Sequence, residues 1–441
     1  MNHSAIVGGG DAGSPKVLES VPTEFDYFES SVIQAAIVSE YDRDISPSTI
    51  QPNAPIEILI KGDNRLYLDL NNSKLEVECK ITNADGTNIA ADVDVGPTNL
   101  TLHSLFSNVE VLVSGQKISD PNTLYPYRAF FETLLSYDRN VAGTRLLTEG
   151  WMKDTTGHFD DFRVDDHGEN KGFKERAKTF ARSRLVKLMG RLHCDLFHQD
   201  KDLPPGSDVT VRLIPSQTEF IIKKPLANAE AHKIRIMSAR LWLRTKELSP
   251  SLMLAHETML QHQNIRIPYT KVCMKQITIP TGVTAVEFDN LFTGVLPNRI
   301  LLGLLADNRM NGVYSSNPFS FEHFNLAYLA LKVGGETIPR TAYEPDFGHD
   351  NYLREYLGVL DTVGLDIGNK SIDLTPAEWA NSYPIFIFRL SPSGLPSFPR
   401  SGSTKLCLKF RTPTVQTING IVFSEFPTIL EIDRYRNVIL A

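Results

Sequence analysis

The sequence predicts an all-β protein, a double jelly roll: two antiparallel sandwiches of about eight strands each in tandem, with a few short helices in loops. Three observations predict it. Apolar residues alternate with period 2 through most of the chain, as half-buried strands require. Turn-forming clusters separate these runs: Asn83-Ala-Asp-Gly86, Pro204-Pro-Gly206, Gly334-Gly335 and Pro392-Ser-Gly394. One pattern also occurs twice. Val109, Val111 and Val113 run into Gly115 and end at Ile118, and Leu329, Leu331 and Val333 run into Gly335 and end at Ile338, an offset of 220 at all five positions. Two such blocks in the same order read as one β-rich domain present twice.

Taken in order, residues 1–20 read as a flexible arm, and 1–50 as that arm plus a lead-in strand. Ile56, Ile58 and Ile60 form one apolar face closed by Gly62. Leu75, Val77, Cys79 and Ile81 form another, with Glu76, Glu78 and Lys80 directed to the opposite side. The first copy of the hairpin pattern is followed by a helix candidate over 124–137, and the second by one over 350–360. Leu192, Cys194 and Leu196 then read as a strand leading through Leu203-Pro204 and Gly206-Ser207 to Val209, Val211 and Leu213. The second half answers with Phe386, Phe388 and Leu390, then Leu395-Pro396 and Gly402-Ser403, then Leu406, Leu408 and Phe410. In 233–244 the apolar phase slips from Ile234 and Ile236 to Leu241 and Leu243, which a bulge near Met237-Ser238 absorbs. The seam is placed at 225–233, giving a first jelly roll over 51–228 and a second over 229–441.

At 441 residues the chain exceeds the roughly 250–300 at which single cores stop growing, so two domains fit. Hydrophobic residues at 41% and charged ones at 22% describe a globular protein rather than a disordered one. The longest apolar stretch, Ile300 to Ala306, is far short of a membrane span. The N-terminus has no basic segment followed by an apolar one, so the expectation is a chain made and folded inside the cell, not secreted. A net charge of −7 argues against nucleic acid as the main partner, because phosphate binding needs an excess of Lys and Arg. The widely spaced Cys79, Cys194, Cys273 and Cys407 contain no C-x-x-C pair and fit a reducing compartment.

No catalytic constellation survives inspection, and no enzyme, metal or cofactor is expected. His256-Glu257 begins like a zinc-protease helix, but Leu260 stands where the second His belongs, and His262 is out of phase. On a strand His193 and Cys194 point to opposite faces, so His193, Cys194 and His198 are not expected to share an ion. Gly8-Gly9-Gly10 lacks the Lys and Ser/Thr of a phosphate loop, and no G-x-S-x-G elbow occurs. The acidic residues at 160–169 lack the ligand spacing of an EF-hand. Asn71-Asn-Ser73, Asn99-Leu-Thr101 and Asn369-Lys-Ser371 match the glycosylation pattern only by chance if the chain is not secreted.

One segment is neither strand nor ordinary turn. Over 154–187 an acidic block containing Asp160, Asp161, Asp165 and Asp166 gives way to a basic block containing Lys174, Arg176, Arg182 and Arg184. A solvated surface excursion is the plain reading. The sharper one makes these eight residues contacts between neighbouring subunits, where opposite charges set register more than affinity.

The runs Tyr67-Leu-Asp-Leu-Asn71, Ile81-Thr-Asn-Ala-Asp-Gly-Thr-Asn88, Asp94-Val-Gly-Pro-Thr-Asn99 and Leu102-His-Ser-Leu-Phe-Ser-Asn-Val109 resemble the major capsid protein of Polinton/Maverick-type viruses and the related adintoviruses. So do Tyr125-Pro-Tyr-Arg128, Glu132-Thr-Leu-Leu-Ser-Tyr137 and Lys153-Asp-Thr-Thr-Gly157. The resemblance is dense from about 54 to 160 and thinner through the second half. It implies a hexon-like double jelly-roll subunit that forms homotrimers. These pseudo-hexameric capsomers would tile an icosahedral virion capsid, with a single jelly-roll penton protein and minor capsid proteins as partners. The competing readings are a β-sandwich glycan-binding or attachment protein, and a glycan hydrolase with paired carboxylates in a cleft. Trp151, Trp242 and Trp379 are too scattered in sequence for an aromatic sugar patch.

Overall fold

The computed structural model describes residues 34–440 apart from 120–121, 123, 311, 366–370 and 392–399. The expected arm over 1–20, the Pro392–Gly394 turn and Leu395-Pro396 lie outside the described residues.

The first half contributes β1 (Ile37–Ile45), β2 (Ile56–Ile60), β3 (Leu66–Asn83), β4 (Phe106–Val113), β5 (Gln116–Lys117), β6 (Val186–Gly190), β7 (Val209–Pro215) and β8 (His232–Leu248). They form two four-stranded sheets, in the orders β1-β8-β3-β6 and β2-β7-β4-β5. The second half contributes β9 (Ile265–Ile279), β10 (Ala285–Phe288), β11 (Thr293–Val295), β12 (Arg299–Ala306), β13 (Leu326–Val333), β14 (Glu336–Tyr343), β15 (Ile385–Arg389), β16 (Ser401–Phe410), β17 (Ile418–Ile432) and β18 (Val438–Leu440). Its sheets run β9-β17-β12-β15, with β18 on β17, and β10-β16-β13-β14, with β11 also on β16. Replacing each strand of the first half by its counterpart reproduces the second, with β10 and β11 together standing for β2 and β18 as an addition on β17. The two jelly rolls share one topology.

Local sequence explains these strands. Ile56, Ile58 and Ile60 are buried while Glu57 and Leu59 face out, so β2 has the single apolar face its alternation requires. Each of those isoleucines contributes about 1.5–3 kcal/mol on burial. The two hairpins are built alike. Ser114 and Gly115 have φ of 47° and 80°, and Gly334 and Gly335 have 58° and 91°, the paired left-handed residues of a type I′ turn. Leu331 faces Ile338 in one, and the Ile118 amide donates to the Val111 carbonyl at 2.9 Å in the other. The expected bulge is present, with register shifting between Ile236 and Ser238.

Five longer helices decorate the sheets: α1 (Tyr125–Ser136), α2 (Lys171–Phe180), α3 (Pro250–Leu260), α4 (Leu353–Val363) and α5 (Pro376–Ser382). The matched candidates after the hairpins are α1 and α4. The last helix starts with a capping box, Thr375 and Glu378 closing on each other's backbone amides.

Two expectations are corrected. Strand β8 starts within a few residues of the proposed seam, yet it lies between β1 and β3 and completes the first sandwich. The domain change therefore follows Leu248, across α3 and into β9, rather than falling at 229. The strand expected over Leu192, Cys194 and Leu196 lies a few residues upstream, at β6, and Asp195–His198 is a 3-10 turn. His193 and Asp195 are buried together with Leu192, Cys194 and Leu196, so both sides of the segment are covered and alternation does not report a sheet face.

The two sandwiches interlock. Phe130 and Phe131 of α1 pack in the larger core with Phe319, Phe321 and Phe423 of the second half. In return Ile267, Tyr269, Leu430 and Ile432 pack in the core of the first.

Candidate functional site

The charged excursion folds back on the protein. Asn170 caps α2, its side-chain oxygen accepting from the Phe173 amide, and Phe162, Phe173 and Ala177 form a small core beneath it. Arg176 points inward and is only 2% exposed. It donates to the carbonyls of Pro97 and Met152 and meets Asp154 at 2.6 Å. That corrects its assignment as an inter-subunit contact, because a guanidinium enclosed by its own chain reaches no neighbour. Asp160 binds Arg309 of the second half at 2.8 Å and accepts from the Asn317 amide at 2.7 Å. Asp161 pairs with Arg163 at 2.9 Å, and that hydrogen-bonded guanidinium holds its carboxyl well below the usual range. Lys174 is half-buried, with its ammonium 3.4 Å from the Gly168 carbonyl. Asp165 caps the amides of His167 and Gly168. Asp165, Asp166, Arg182 and Arg184 are exposed, and neither arginine has an ion pair among the described residues. The excursion thus joins the two halves of one chain, and of the eight residues expected at subunit contacts five are exposed: Asp160, which is held by Arg309, and Asp165, Asp166, Arg182 and Arg184.

A second polar cluster lies between the sandwiches. On α1, Arg128 donates to Glu132 Oε1 at 2.8 Å across one helical turn and meets Asp195 at 2.7 Å. Asp195 also accepts from the Val272 amide of β9, at 3.2 Å, which ties the 3-10 turn to the second half. The other carboxylate oxygen, Glu132 Oε2, lies 2.6 Å from His193 Nδ1 and 3.5 Å from His198 Nε2. Behind His193 stands His103, with ring centroids 4.6 Å apart, and His103 contacts Tyr125 at 2.9 Å and Glu149 at 3.4 Å. Burial pushes the Glu132 carboxyl up, but the Arg128 charge and the His193 bond override it and hold it well below the ordinary range. Burial pushes the His198 imidazole down to about 4, so it is neutral near pH 7.

His193 and His198 converge on Glu132, while Cys194, expected on the opposite face from His193, lies apart from them. The 3-10 turn brings His198 back toward His193, and Cys194 turns instead into the first core, its Sγ 4.0 Å from the Val109 carbonyl. Glu132 and Arg128 were not expected here. Their i, i+4 spacing on α1 was the available signal. Elsewhere His256 Nδ1 is engaged by the Tyr67 hydroxyl at 2.7 Å, and Glu257 by Arg436. Asn99 of the second glycosylation pattern is buried, its side chain accepting from the amides of Leu100 and Met152. No helix among the described residues is long and apolar enough to cross a membrane.

No protein-family model matches the chain. An uncharacterized protein of Caenorhabditis elegans is 24% identical over 411 residues, covering 89% of this chain and 94% of the relative. Among solved structures, a chain of the Sputnik virophage is similar with a TM-score of 0.64 at 10% identity, over 97% of this chain and 93% of that one. The Faustovirus major capsid protein is similar with a TM-score of 0.56 at 10% identity, over 93% of each chain. The mavirus major capsid protein has a TM-score of 0.52 at 12% identity, over 98% of this chain and 97% of that one. These alignments span both sandwiches, so the chain has the double jelly-roll fold of these viral capsid proteins.

Proposed function

We propose that this protein is a major capsid protein: a structural, non-catalytic subunit that forms homotrimers, and whose trimers tile an icosahedral shell. The observation that carries the reading is the shared topology of the two interlocked sandwiches, together with a likeness to capsid proteins over nearly the whole chain. Three chains with two similar sandwiches each present six similar units around one axis. Such a trimer fills a sixfold lattice position with half the usual number of subunits.

Interfaces inside an obligate trimer are large and apolar, on the order of 2,000–5,000 Å². Exposed apolar residues on the helices suit that role: Leu353 and Leu357 on α4, and Leu254 and Met259 on α3. Contacts between trimers must be individually weak so that misplaced capsomers detach. The outward Asp165, Asp166, Arg182 and Arg184 fit such contacts, with Lys174 at their margin. A penton protein and minor capsid proteins would close the shell, and the virion capsid is the proposed location.

Native mass measurement of the purified protein tests this reading, with electron microscopy of the same sample. Trimers with hexagonal outlines are expected. A strict monomer at high concentration overturns it.

A further inference from the structure

The cluster between the sandwiches has the donor set of a transition-metal site. Glu132 Oε2, His193 Nδ1 and His198 Nε2 come from two segments, and the donor atoms of this trio lie within 4.8 Å of one another. One carboxylate and two imidazoles are a known ligand set for zinc, which takes nitrogen and oxygen donors at about 2.0–2.2 Å. We propose that Glu132, His193 and His198 bind one divalent cation of the zinc class.

Five features support it. The carboxylate is already oriented, because Arg128 takes Oε1 and leaves Oε2 to the histidines. Donors around a tetrahedral ion stand about 3.3 Å apart, so the ion needs Nδ1 and Oε2 to part by only about 0.7 Å. The nearby cations are engaged elsewhere: the Arg128 guanidinium is shared between the carboxyl groups of Glu132 and Asp195, Arg191 is turned to Asn71 and the Phe197 carbonyl, and Arg299 is occupied by Glu425 at 2.6 Å. Asp195 Oδ2 is buried with no hydrogen-bond partner among the described residues. The site is also reachable, since the His198 side chain is 34% exposed while that of His193 is 5% exposed. The fourth coordination place opens on the His198 side, where water can fill it. His103 packs edge-on against the His193 ring, with centroids 4.6 Å apart, and is itself bonded to Glu149.

An ion here would clamp α1 to the turn that contacts β9, and so stabilise the junction of the two sandwiches by binding only the folded chain. The test uses the full chain, stripped with a chelator and titrated with Zn²⁺ by calorimetry, and with Co²⁺ by visible absorption. One ion per chain and a rise in Tm are expected. Loss of an outer hydrogen-bond partner alone costs about 10–100-fold in metal affinity, so His198→Ala, which removes a ligand, should weaken binding at least about a hundredfold. His198 is partly exposed, so this variant should keep the wild-type near-ultraviolet spectrum. His262→Ala serves as a control and should bind as the wild type does. No bound zinc, or binding unchanged in His198→Ala, overturns the proposal, and neither result bears on capsomer formation.

Discussion

Phe130 of the first half stacks on Phe319 of the second, with ring centroids 4.3 Å apart and planes 12° from parallel. Since α1 buries its aromatic face among second-half side chains, neither sandwich has a complete core alone. Phe130→Ala should cost about 3–5 kcal/mol. It should also leave both halves unfolding in one transition. Hydrogen exchange read separately on β4 and β13 checks this, and different opening free energies for the two hairpins would reject the coupling.

The Arg176–Asp154 pair is internal, at 2.6 Å with both side chains buried. Arg176→Met strands a buried carboxylate and should cost about 3–5 kcal/mol in urea unfolding. Adding Asp154→Asn should recover part of that loss.

Arg182 and Arg184 face solvent, so reversing both to Glu should change monomer stability by only about 0.5 kcal/mol. Association between capsomers should weaken, and its salt dependence should shrink. Sedimentation at several salt concentrations measures both effects. Assembly identical to wild type at every salt concentration removes these arginines from the interface.

Lys223 is buried, its ammonium donating to the carbonyls of Glu219 at 2.7 Å and Val313 at 2.9 Å. Burial pushes its pKa down from 10.5 to about 7. Between those values the unfolded chain holds a proton that the folded chain has released, so stability rises with pH. Below pH 7 the cost of burying the charge is fully present. The stability of wild type minus that of Lys223→Met should therefore climb from about pH 7 to about pH 10.5 and level off outside that window. Thermal unfolding of both proteins across this range measures it, and a flat difference contradicts the depressed ammonium.

Gly115 and Gly335 occupy equivalent left-handed positions, with φ of 80° and 91°, and a Cβ at either would meet open space. Alanine at each site should cost about 1–2 kcal/mol from backbone strain alone. Similar losses at both sites, read by denaturant titration, are expected of two hairpins of one design.

Sequence by itself determined what depends on neighbours along the chain. Alternation placed the Ile56, Ile58 and Ile60 face, Gly115 and Gly335 marked the turns, and the phase slip marked the bulge at Met237-Ser238. These features follow from side-chain direction and φ preference over a few residues, which local order encodes. The doubling was legible for the same reason. Tertiary structure alone decided which strand joins which sheet, so β8 belongs to the first sandwich although its own pattern is silent about partners. It also decided which polar groups meet: Arg176 turns inward onto Asp154, and Glu132 reaches His193, 61 positions further along. Such encounters exist only once the sheets close and bring distant segments together, and no spacing within the sequence records that distance.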